Sequence, residues 1–283
     1  MEKRPVLFLD SGIGGIPYCD HFHQKAPNES IVYLADRQHF PYGKLGKAEI
    51  ESILAELAGK LIQAVNPKIA VLACNTATIA ALPELRNQYP SLPIVGTVPA
   101  VKPAAIASRS GKIGVLGTAF TVRESHIREL AAQYGGAEIT GIAAGELVDF
   151  VENRYFDAAP EEKEKVVGSY ISRFRAAGVD SLVLGCTHFV FLREEFRRLA
   201  SPDITVFESV TGITQRIESL LLENSYGEGL TQRRGEEKTD NGPAQKATGA
   251  KNRLLLTGPE RPEPSWEKWA GHLGFELALL EDS

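Results

Sequence analysis

The chain has 283 residues, of which 43% are hydrophobic, 24% charged and 8% aromatic, close to the averages for soluble globular proteins. This length predicts two domains or one large one, and the composition excludes disordered, collagen-like and coiled-coil proteins. The net charge of -5 and the pI near 5.8 lack the basic excess that binding to a phosphate backbone requires, so nucleic acid is not expected as a direct partner.

The hydrophobic stretches are too short to cross a membrane or to direct export. The longest runs, Ile69–Cys74 and Ser181–Cys186, are far below the roughly 20 residues of a membrane helix. Near the N-terminus, Asp10 interrupts the apolar stretch Val6–Leu9, which is too short for the core of a signal peptide. We therefore expect a cytoplasmic protein without a membrane partner.

The cysteine content fits a reducing compartment. Three cysteines are an odd number, and a chain of this size does not need disulfide bonds for stability. We therefore expect Cys19, Cys74 and Cys186 to be free thiols. A single cysteine at the end of a strand is commonly just a small buried residue, so neither Cys74 nor Cys186 indicates chemistry when taken alone.

Short apolar runs alternate with amphipathic segments along the chain. The runs end in small or polar residues, which is typical of buried parallel strands: Val6–Leu9, Ile31–Ala35, Ile69–Ala73, Ile94–Gly96, Ile113–Leu116, Ile139–Ile142, Leu182–Leu184 and Thr205–Phe207. Between them, Ala48–Gln63 and Arg123–Gln133 have the periodicity of helices. Gly227–Lys251 has too few apolar residues to bury a core, and we interpret it as a flexible insertion. Arg253–Thr257 then predicts a strand and Pro264–Gly274 a helix.

Two parts of the sequence share one plan. Val71–Thr76 and Val183–His188 each contain a strand that ends in a cysteine, and an earlier strand with a turn of small residues precedes each of them. These earlier segments are Val6–Gly12 and Ile113–Thr118. The repetition predicts two similar α/β halves. Because ligands bind at the carboxyl ends of parallel strands, the halves would face each other across a cleft with one cysteine on each wall.

Two opposed thiols can transfer protons at a carbon centre. One thiolate removes a proton from one face while the other thiol delivers a proton to the opposite face, which inverts the stereocentre. A helix N-terminus or an imidazole favours the thiolate; both segments offer the first, and His188 adds the second. The carboxylate and ammonium groups of a substrate would need small polar side chains, and the candidates are Ser11, Asn75, Thr76, Thr118, Thr121 and Thr187.

Other readings of these motifs fit less well. The spacing of Cys186 and Arg193 does not match a phosphatase loop, and structural zinc would need clustered Cys and His ligands. Cys19–His23 looks like a metal motif, but we interpret it as a surface helix face. A thiol protease pairing stays open on spacing alone. Asp10–Gly15 fits an anion-binding turn or simply a tight turn that needs glycine, and it matches no nucleotide-binding fingerprint.

Several short motifs occur together in one order: Asp10-Ser11-Gly-x-Gly-Gly, Asp36 followed by Pro41-Tyr42-Gly43, Ala73-Cys74-Asn75-Thr76-Ala77, Val98-Pro99-Ala100, Gly117-Thr118 with Thr121-Val122, and Gly185-Cys186-Thr187-His188. As a specific set, they resemble the glutamate racemases of the aspartate/glutamate racemase family, over roughly residues 5–225. The resemblance implies two pseudo-symmetric three-layer α/β domains with mainly parallel sheets and an active site between them. We place the first domain at residues 1–97 and 208–283, with the insertion at about 227–251, and the second at 98–207.

The resemblance also implies a role for each motif residue. Cys74 and Cys186 would be the two acid/base residues, with Asp10 assisting the first thiol and His188 the second. Glu152 lies where relatives often carry an acidic residue near the cleft. The residues that would hold the amino acid are Ser11, Tyr42, Gly43, Asn75, Thr76, Thr118, Thr121 and Thr187.

The activity implied is the interconversion of L- and D-glutamate without a cofactor or a metal, which supplies D-glutamate for peptidoglycan, in a homodimer. Two alternatives stay open: a racemase of another amino acid, chiefly aspartate, and a non-catalytic amino-acid-binding regulator. A contact with DNA gyrase belongs to the second alternative, and nothing in this sequence supports it.

The sequence departs from the family in two places near the motifs. Phe189-Val190-Phe191-Leu192 follows the second cysteine where relatives commonly have Tyr-Pro-Leu-Leu, and we expect packing to absorb this apolar change. Glu208-Ser209 replaces a pair that begins with aspartate, which we expect to affect the hinge or the rim of the pocket.

Overall fold

Two parallel β-sheets organise the chain in the computed structural model, which describes residues 4–123, 125–134, 136–232, 252–258 and 262–280. The strands are β1 (Val6–Asp10), β2 (Ile31–Ala35), β3 (Ile69–Leu72), β4 (Ile94–Gly96), β5 (Lys112–Gly117), β6 (Glu138–Ala143), β7 (Ser181–Leu184), β8 (Thr205–Phe207), β9 (Arg253–Leu256) and β10 (Glu276–Leu279). The α-helices are α1 (Ile16–Lys25), α2 (Lys47–Val65), α3 (Asn75–Gln88), α4 (Val101–Ala107), α5 (Ala119–Arg123), α6 (Ser125–Gln133), α7 (Gly145–Arg154), α8 (Pro160–Ala176), α9 (Arg193–Ala200), α10 (Val210–Gln232) and α11 (Pro264–Leu273). Short 3₁₀ helices span Arg37–His39, Tyr42–Lys44 and Thr187–Leu192.

The two sheets repeat one strand plan. The first has the order β10-β9-β2-β1-β3-β4, and the second has the order β6-β5-β7-β8, with parallel pairing throughout. Strands β2-β1-β3-β4 of the first therefore correspond to β6-β5-β7-β8 of the second. This correspondence confirms the predicted α/β class with pseudo-symmetric, parallel halves, and β9 and β10 extend the first sheet beyond β2.

Alternating side chains of the central strands supply different apolar layers. In β1, Val6 and Phe8 enter a large cluster that also contains residues of the second sheet, such as Leu184, whereas Leu7 and Leu9 pack on the opposite face. A third cluster covers the far face of the second sheet. Because both faces of β1 are covered, every one of its residues is buried, which explains its unbroken apolar run. The shared cluster joins the two halves beside the strand ends.

The predicted strands are present with ends shifted by at most one residue, and some helical predictions need correction. The segment Arg123–Gln133 is divided between α5 and α6. The edge strand β10 was not predicted. The predicted insertion at Gly227–Lys251 is wrong at its start, because α10 continues to Gln232. The remainder, 233–251, lies outside the described residues. Within the described part of the chain, no helix is both long and apolar enough to cross a membrane.

Candidate active site

Cys74 lies between a strand and a helix of the first half. Strand β3 ends at Leu72, and Cys74 is the N-cap of α3 with an extended backbone (φ -139°, ψ 119°). Its carbonyl accepts the first helical hydrogen bond, from the N–H of Thr78 at 2.9 Å. The cap position directs the side chain to the carboxyl edge of the sheet, where 7% of Cys74 is exposed.

Cys186 occupies the matching place in the second half. Strand β7 ends at Leu184, and Cys186 caps the 3₁₀ helix Thr187–Leu192 with nearly the same backbone conformation (φ -135°, ψ 137°). Its carbonyl accepts a hydrogen bond from the N–H of Phe189 at 3.1 Å, and 6% of the residue is exposed. The helix that follows is therefore a 3₁₀ helix, whereas Cys74 precedes a regular α-helix.

Both thiols line one cavity between the halves. The cavity has a volume of about 20 Å³, which is room for about one water molecule. Its other lining residues are Ser11, Pro41, Gly43, Asn75, Thr76, Thr118, Val148, Thr187 and His188. Among the residues proposed from the sequence, Asp10, Tyr42 and Thr121 lie behind this lining.

Asp10 ends β1 beside Cys74. It is fully buried, and its Oδ1 accepts a hydrogen bond from the N–H of Ser11 at 2.6 Å. Burial raises the pKa of Asp10 to about 6, although the charge of His188 and hydrogen bonds from Ser11 and Cys74 lower it. In turn, burial and then the Asp10 carboxylate raise the pKa of the Cys74 thiol well above its usual range. The first thiol therefore has an acidic neighbour that favours its protonated form.

His188 and Glu152 lie beside Cys186. His188 Nδ1 is 3.8 Å from the Cys186 sulfur, and its Nε2 is 2.8 Å from Glu152 Oε2. Because both ring nitrogens face acceptors, the doubly protonated imidazolium satisfies both contacts. Burial lowers the pKa of His188, but the interactions with Cys186 and Glu152 outweigh it and raise the pKa well above its usual range. The second thiol therefore has a cationic neighbour.

The two halves are joined by polar contacts at the turn that follows β1. Thr187 Oγ1 donates to Asp10 Oδ2 at 3.3 Å, and the N–H of Ile13 donates to Glu152 Oε2 at 3.2 Å. A Cβ on Gly14 would lie 2.4 Å from His188 Nδ1, and a Cβ on Gly12 would lie 2.7 Å from Glu152 Oε1. Glycine is therefore required here because side chains of the other half lie against the backbone.

Three N–H groups of the Asp10–Gly15 turn bond to protein atoms. Besides Ser11 and Ile13, the N–H of Gly15 donates to the Tyr33 hydroxyl at 3.1 Å, and that hydroxyl donates to the Gly12 carbonyl at 2.8 Å. These bonds support the tight-turn interpretation of the motif over an anion-binding loop.

Asn75 is a polar residue of the cavity wall whose amide lacks a partner. Only 2% of the residue is exposed, and neither Nδ2 nor Oδ1 makes a hydrogen bond to the described part of the protein. A buried amide without partners is costly. The amide of Asn75 therefore offers a donor, Nδ2, and an acceptor, Oδ1, to a ligand that carries both an ammonium and a carboxylate group.

Hydroxyl groups from both halves form a chain along the cavity. Thr76 Oγ1 lies 3.2 Å from Thr118 Oγ1, which in turn lies 3.2 Å from Thr121 Oγ1. Thr118 also accepts the N–H of Thr121 at 3.2 Å. Thr121 therefore orients Thr118 from behind, while Thr76 and Thr118 face the cavity.

The side chain of Tyr42 points away from the cavity. It is fully buried and donates its hydroxyl proton to Asp36 Oδ2 at 2.6 Å. Its neighbour Gly43 lines the cavity, where a Cβ would approach Thr118 Cγ2 to 2.8 Å. The turn thus contributes backbone to the cavity and uses Tyr42 as an anchor. Sequence reasoning placed Asp36 in the motif but assigned it no role.

Residues at the two family departures lie outside the cavity lining. Phe189, Val190 and Leu192 are buried in the large cluster, as expected, and Phe191 packs against it. Glu208 accepts the N–H of Val210 at the start of α10, and Ser209 lies 3.0 Å from the Tyr18 hydroxyl. This pair therefore contacts the terminus of α10 and the Tyr18 side chain, and neither residue is among those that line the cavity.

The predicted surface face Cys19–His23 is only partly correct. These residues lie in α1, but Cys19 and Phe22 are fully buried. Cys19, Cys74 and Cys186 are all free thiols, as expected. Within the described residues, no group of His, Cys, Asp and Glu has an arrangement suited to a metal ion.

The fold and the cavity can be compared with known proteins. Residues 18–217 match the family model described as Asp/Glu/Hydantoin racemase. The chain is 37% identical over 223 residues to the glutamate racemase of Roseiflexus sp. strain RS-1, covering 78% of this chain and 81% of that protein. It is 39% identical over 222 residues to the glutamate racemase of Ectopseudomonas mendocina, covering 78% and 83%.

A solved structure shares almost the whole fold. The crystal structure of Escherichia coli glutamate racemase, in complex with L-glutamate and the activator UDP-MurNAc-Ala, superposes with a TM-score of 0.78 and 27% identity. The superposition covers 98% of this chain and 97% of that one, whereas the family-model match ends at residue 217.

Proposed function

The chain belongs to the Asp/Glu/hydantoin racemase family, and on that premise we propose that it interconverts L- and D-glutamate by proton transfer between Cys74 and Cys186, without a cofactor. The observation that carries this proposal is that both sulfurs line one cavity, each at the carboxyl end of a strand in a different half. The names of relatives supply glutamate as the substrate.

The reaction needs one thiolate and one thiol on opposite faces of the α-carbon. The thiolate takes the α-proton and forms an S–H bond, while the electron pair of the broken C–H bond remains on the carbanionic substrate. The opposite thiol then gives its proton to the other face of the α-carbon and becomes a thiolate. No atom is gained or lost, and the two sulfurs have exchanged protonation states. The reverse turnover restores them.

The neighbours of each thiol make this exchange feasible. The carboxylate of Asp10 can accept the proton of Cys74 and return it, since burial brings its pKa to about 6, closer to neutrality than that of an ordinary aspartate. The imidazolium of His188 stabilises negative charge on the Cys186 sulfur across 3.8 Å. Glu152 keeps that imidazolium charged and oriented.

Substrate binding is assigned to the small polar groups of the cavity wall. The unpartnered amide of Asn75, the hydroxyls of Ser11, Thr76, Thr118 and Thr187, and the backbone at Gly43 would hold the carboxylate and ammonium groups. Glutamate is several times larger than the space of about 20 Å³. The cavity must therefore widen when the substrate binds.

The remaining biological assignments follow the family resemblance. We propose that the product D-glutamate is used for peptidoglycan, that the protein acts in the cytoplasm as a homodimer, and that the domains divide at residues 1–97 with 208–283 and at 98–207. The sheets support this division, since β1–β4, β9 and β10 form one and β5–β8 form the other.

The proposal is tested by incubating the purified protein with L-glutamate in heavy water with no cofactor added. Optical rotation should decay to zero as the α-proton is replaced by deuterium, with both signals followed in one sample. D-glutamate should give the mirror-image time course. No loss of rotation from either enantiomer would reject racemisation.

Aspartate run in parallel identifies the substrate. Faster turnover of aspartate than of glutamate would assign the paired thiols to aspartate racemisation. Binding of glutamate without exchange of its α-proton would instead indicate a non-catalytic amino-acid-binding regulator.

A further inference from the structure

A buried carboxylate holds the turn that carries Gly43 into the cavity wall. Asp36 follows β2 directly and is fully buried. Its Oδ2 accepts the Tyr42 hydroxyl at 2.6 Å and lies 2.8 Å from His39 Nδ1. Its Oδ1 accepts a hydrogen bond from Thr257 Oγ1 at 2.7 Å. The carboxylate therefore connects the turn to a residue far along the chain.

Thr257 lies just beyond the end of β9 and bonds to residues 35–38 through its hydroxyl, N–H and carbonyl groups. Its hydroxyl donates to Asp36 and accepts the N–H of Gln38 at 3.0 Å. Its own N–H donates to the Ala35 carbonyl at 3.1 Å, and its carbonyl accepts Arg37 Nε at 3.4 Å. The residue is 6% exposed, so water cannot readily replace these bonds.

The position of the turn at Gly43 matters because its backbone lies directly against the opposite half. A Cβ on Gly43 would lie 2.8 Å from Thr118 Cγ2, and both residues line the cavity. A displacement of Tyr42 would carry Gly43 against Thr118 or away from the substrate. Small displacements of groups that hold a substrate reduce its binding or its reactivity strongly.

We propose that Thr257 is a positioning residue for substrate binding, which acts through Asp36 and Tyr42 on the backbone at Gly43. This inference rests on the proposed function and extends it to a part of the chain outside residues 18–217, the range of the family-model match. Thr257 does not touch the cavity, and its effect is transmitted by two hydrogen bonds to one buried carboxylate.

A hydroxyl is required at this position because it must donate and accept at the same time. Valine has nearly the same shape as threonine but can do neither, so Thr257→Val leaves Asp36 Oδ1 and the N–H of Gln38 without this partner. Serine keeps both bonds and loses only a methyl group. The pair of variants therefore separates hydrogen bonding from packing.

The test compares steady-state racemisation by the wild type, Thr257→Val and Thr257→Ser, well below each variant's unfolding temperature. Thr257→Val should raise KM for glutamate by about tenfold, the effect of about one hydrogen bond, with kcat within about twofold. Thr257→Ser should restore KM to within about twofold of the wild type. Thr205→Val, in the exposed first position of β8, is the matched control and should leave both constants unchanged.

A double-mutant cycle with Tyr42→Phe tests the route. If Thr257 acts through Asp36 and Tyr42, the double variant Thr257→Val/Tyr42→Phe should have a KM close to that of the worse single variant. A product of the two separate effects would overturn the route. An unchanged KM in Thr257→Val, with a lower unfolding temperature, would reduce Thr257 to a structural role. Absence of racemisation by the wild type would reject the proposed function instead, so the two failures are distinguishable.

Discussion

The carboxyl ends of β3 and β7 present the same backbone with opposite electrostatic surroundings. Cys74 and Cys186 are both extended N-cap residues that follow the matching strand of their sheet. Beside Cys74 lies the carboxyl group of Asp10, whereas beside Cys186 lies the imidazole of His188. The repeated fold thus supplies geometric symmetry, and the residues next to each thiol remove the chemical symmetry.

The difference between the two sides suits a reaction that must begin with one thiol and one thiolate. A buried carboxylate beside Cys74 keeps the proton on that sulfur, since it raises the pKa of the thiol together with burial. Beside Cys186, by contrast, the pKa of His188 is raised, which favours a cation next to that sulfur. If the surroundings of the two sulfurs were identical, neither sulfur would be preferred as the one that carries the thiol proton.

The largest effect is expected from removing either sulfur. Cys74→Ser and Cys186→Ser should each lower kcat by about 10³-fold or more, because an alcohol is a far weaker acid than a thiol. Each variant retains one thiol, so each should exchange the α-proton of only one enantiomer in heavy water, and the two variants should prefer opposite enantiomers. Proton exchange with both enantiomers by one variant would contradict a two-sided mechanism.

The matched control for these variants is Cys19→Ala. Cys19 is also a fully buried free thiol, but it lies in α1 and does not line the cavity. Racemisation should stay within about twofold of the wild type, since the effect on activity requires a sulfur in the cavity.

The neighbours of the thiols should affect stability in opposite directions. Burial raises the pKa of Asp10 from 3.8 to about 6, so the folded protein binds this proton more tightly than the unfolded chain. The resulting cost to stability is absent below about pH 4, grows between pH 4 and 6, and is complete above pH 6. Asp10→Asn should therefore raise the free energy of unfolding at pH 7.5 by about 3 kcal/mol, and by little at pH 4.

His188 should behave in the opposite way in the same denaturation experiment. Its pKa is raised in the folded protein, so its stabilising contribution is complete below about pH 6.5 and is lost as the pH rises through the folded value. His188→Asn should destabilise the protein at pH 6 and less at high pH. Urea unfolding at several pH values checks both variants, and a loss of stability in Asp10→Asn at pH 7.5 would contradict the burial argument.

The fold and the thiol positions could be predicted from the sequence because their causes are local. Each cysteine follows an unbroken apolar run, since the strand before it is buried on both faces, and parallel sheets place such strand ends at one edge. The duplicated pattern then brings Cys74 and Cys186 to one cavity. Asn75, Thr76 and Thr187 directly follow the cysteines in sequence, so they lie at the same cavity.

The contacts between distant segments could not be predicted in this way. Glu152 reaches His188 from the last turn of α7, and Thr257, just beyond β9, reaches Asp36 across more than two hundred residues. Neither has a periodic or local signal, because their positions follow from how the helices and strands pack. Tyr42 is oriented by its hydrogen bond to Asp36, the carboxylate that Thr257 also contacts, so its anchoring role was also missed. The edge strand β10 is only partly buried, which weakens its signal.

Rate measurements on Asp10→Asn and His188→Asn test the proposed roles of the two side chains beside the thiols. Each should lower kcat by about 10²-fold with a smaller change in KM, because in the proposed mechanism each side chain assists a thiol and does not itself hold the substrate. The acid limb of the kcat/KM profile, expected near pH 6 from Asp10, should disappear only in Asp10→Asn. A large rise in KM with unchanged kcat in either variant would assign that residue to substrate binding.

The smallest effect is expected from Glu152→Gln, which removes a charge from the Cys186 side and keeps the shape of the side chain. The glutamine oxygen can still accept from His188 Nε2 and from the N–H of Ile13, as Glu152 Oε2 does at 2.8 and 3.2 Å. The lost charge should lower the pKa of His188, so the alkaline limb of the kcat/KM profile should move to lower pH, with about a tenfold loss of rate at pH 8.5. The acid limb near pH 6 should move little, because Glu152 is the weakest of the influences on Asp10. A tenfold loss with an unmoved alkaline limb would show that Glu152 acts by joining the two halves at Ile13 and not through the charge of His188.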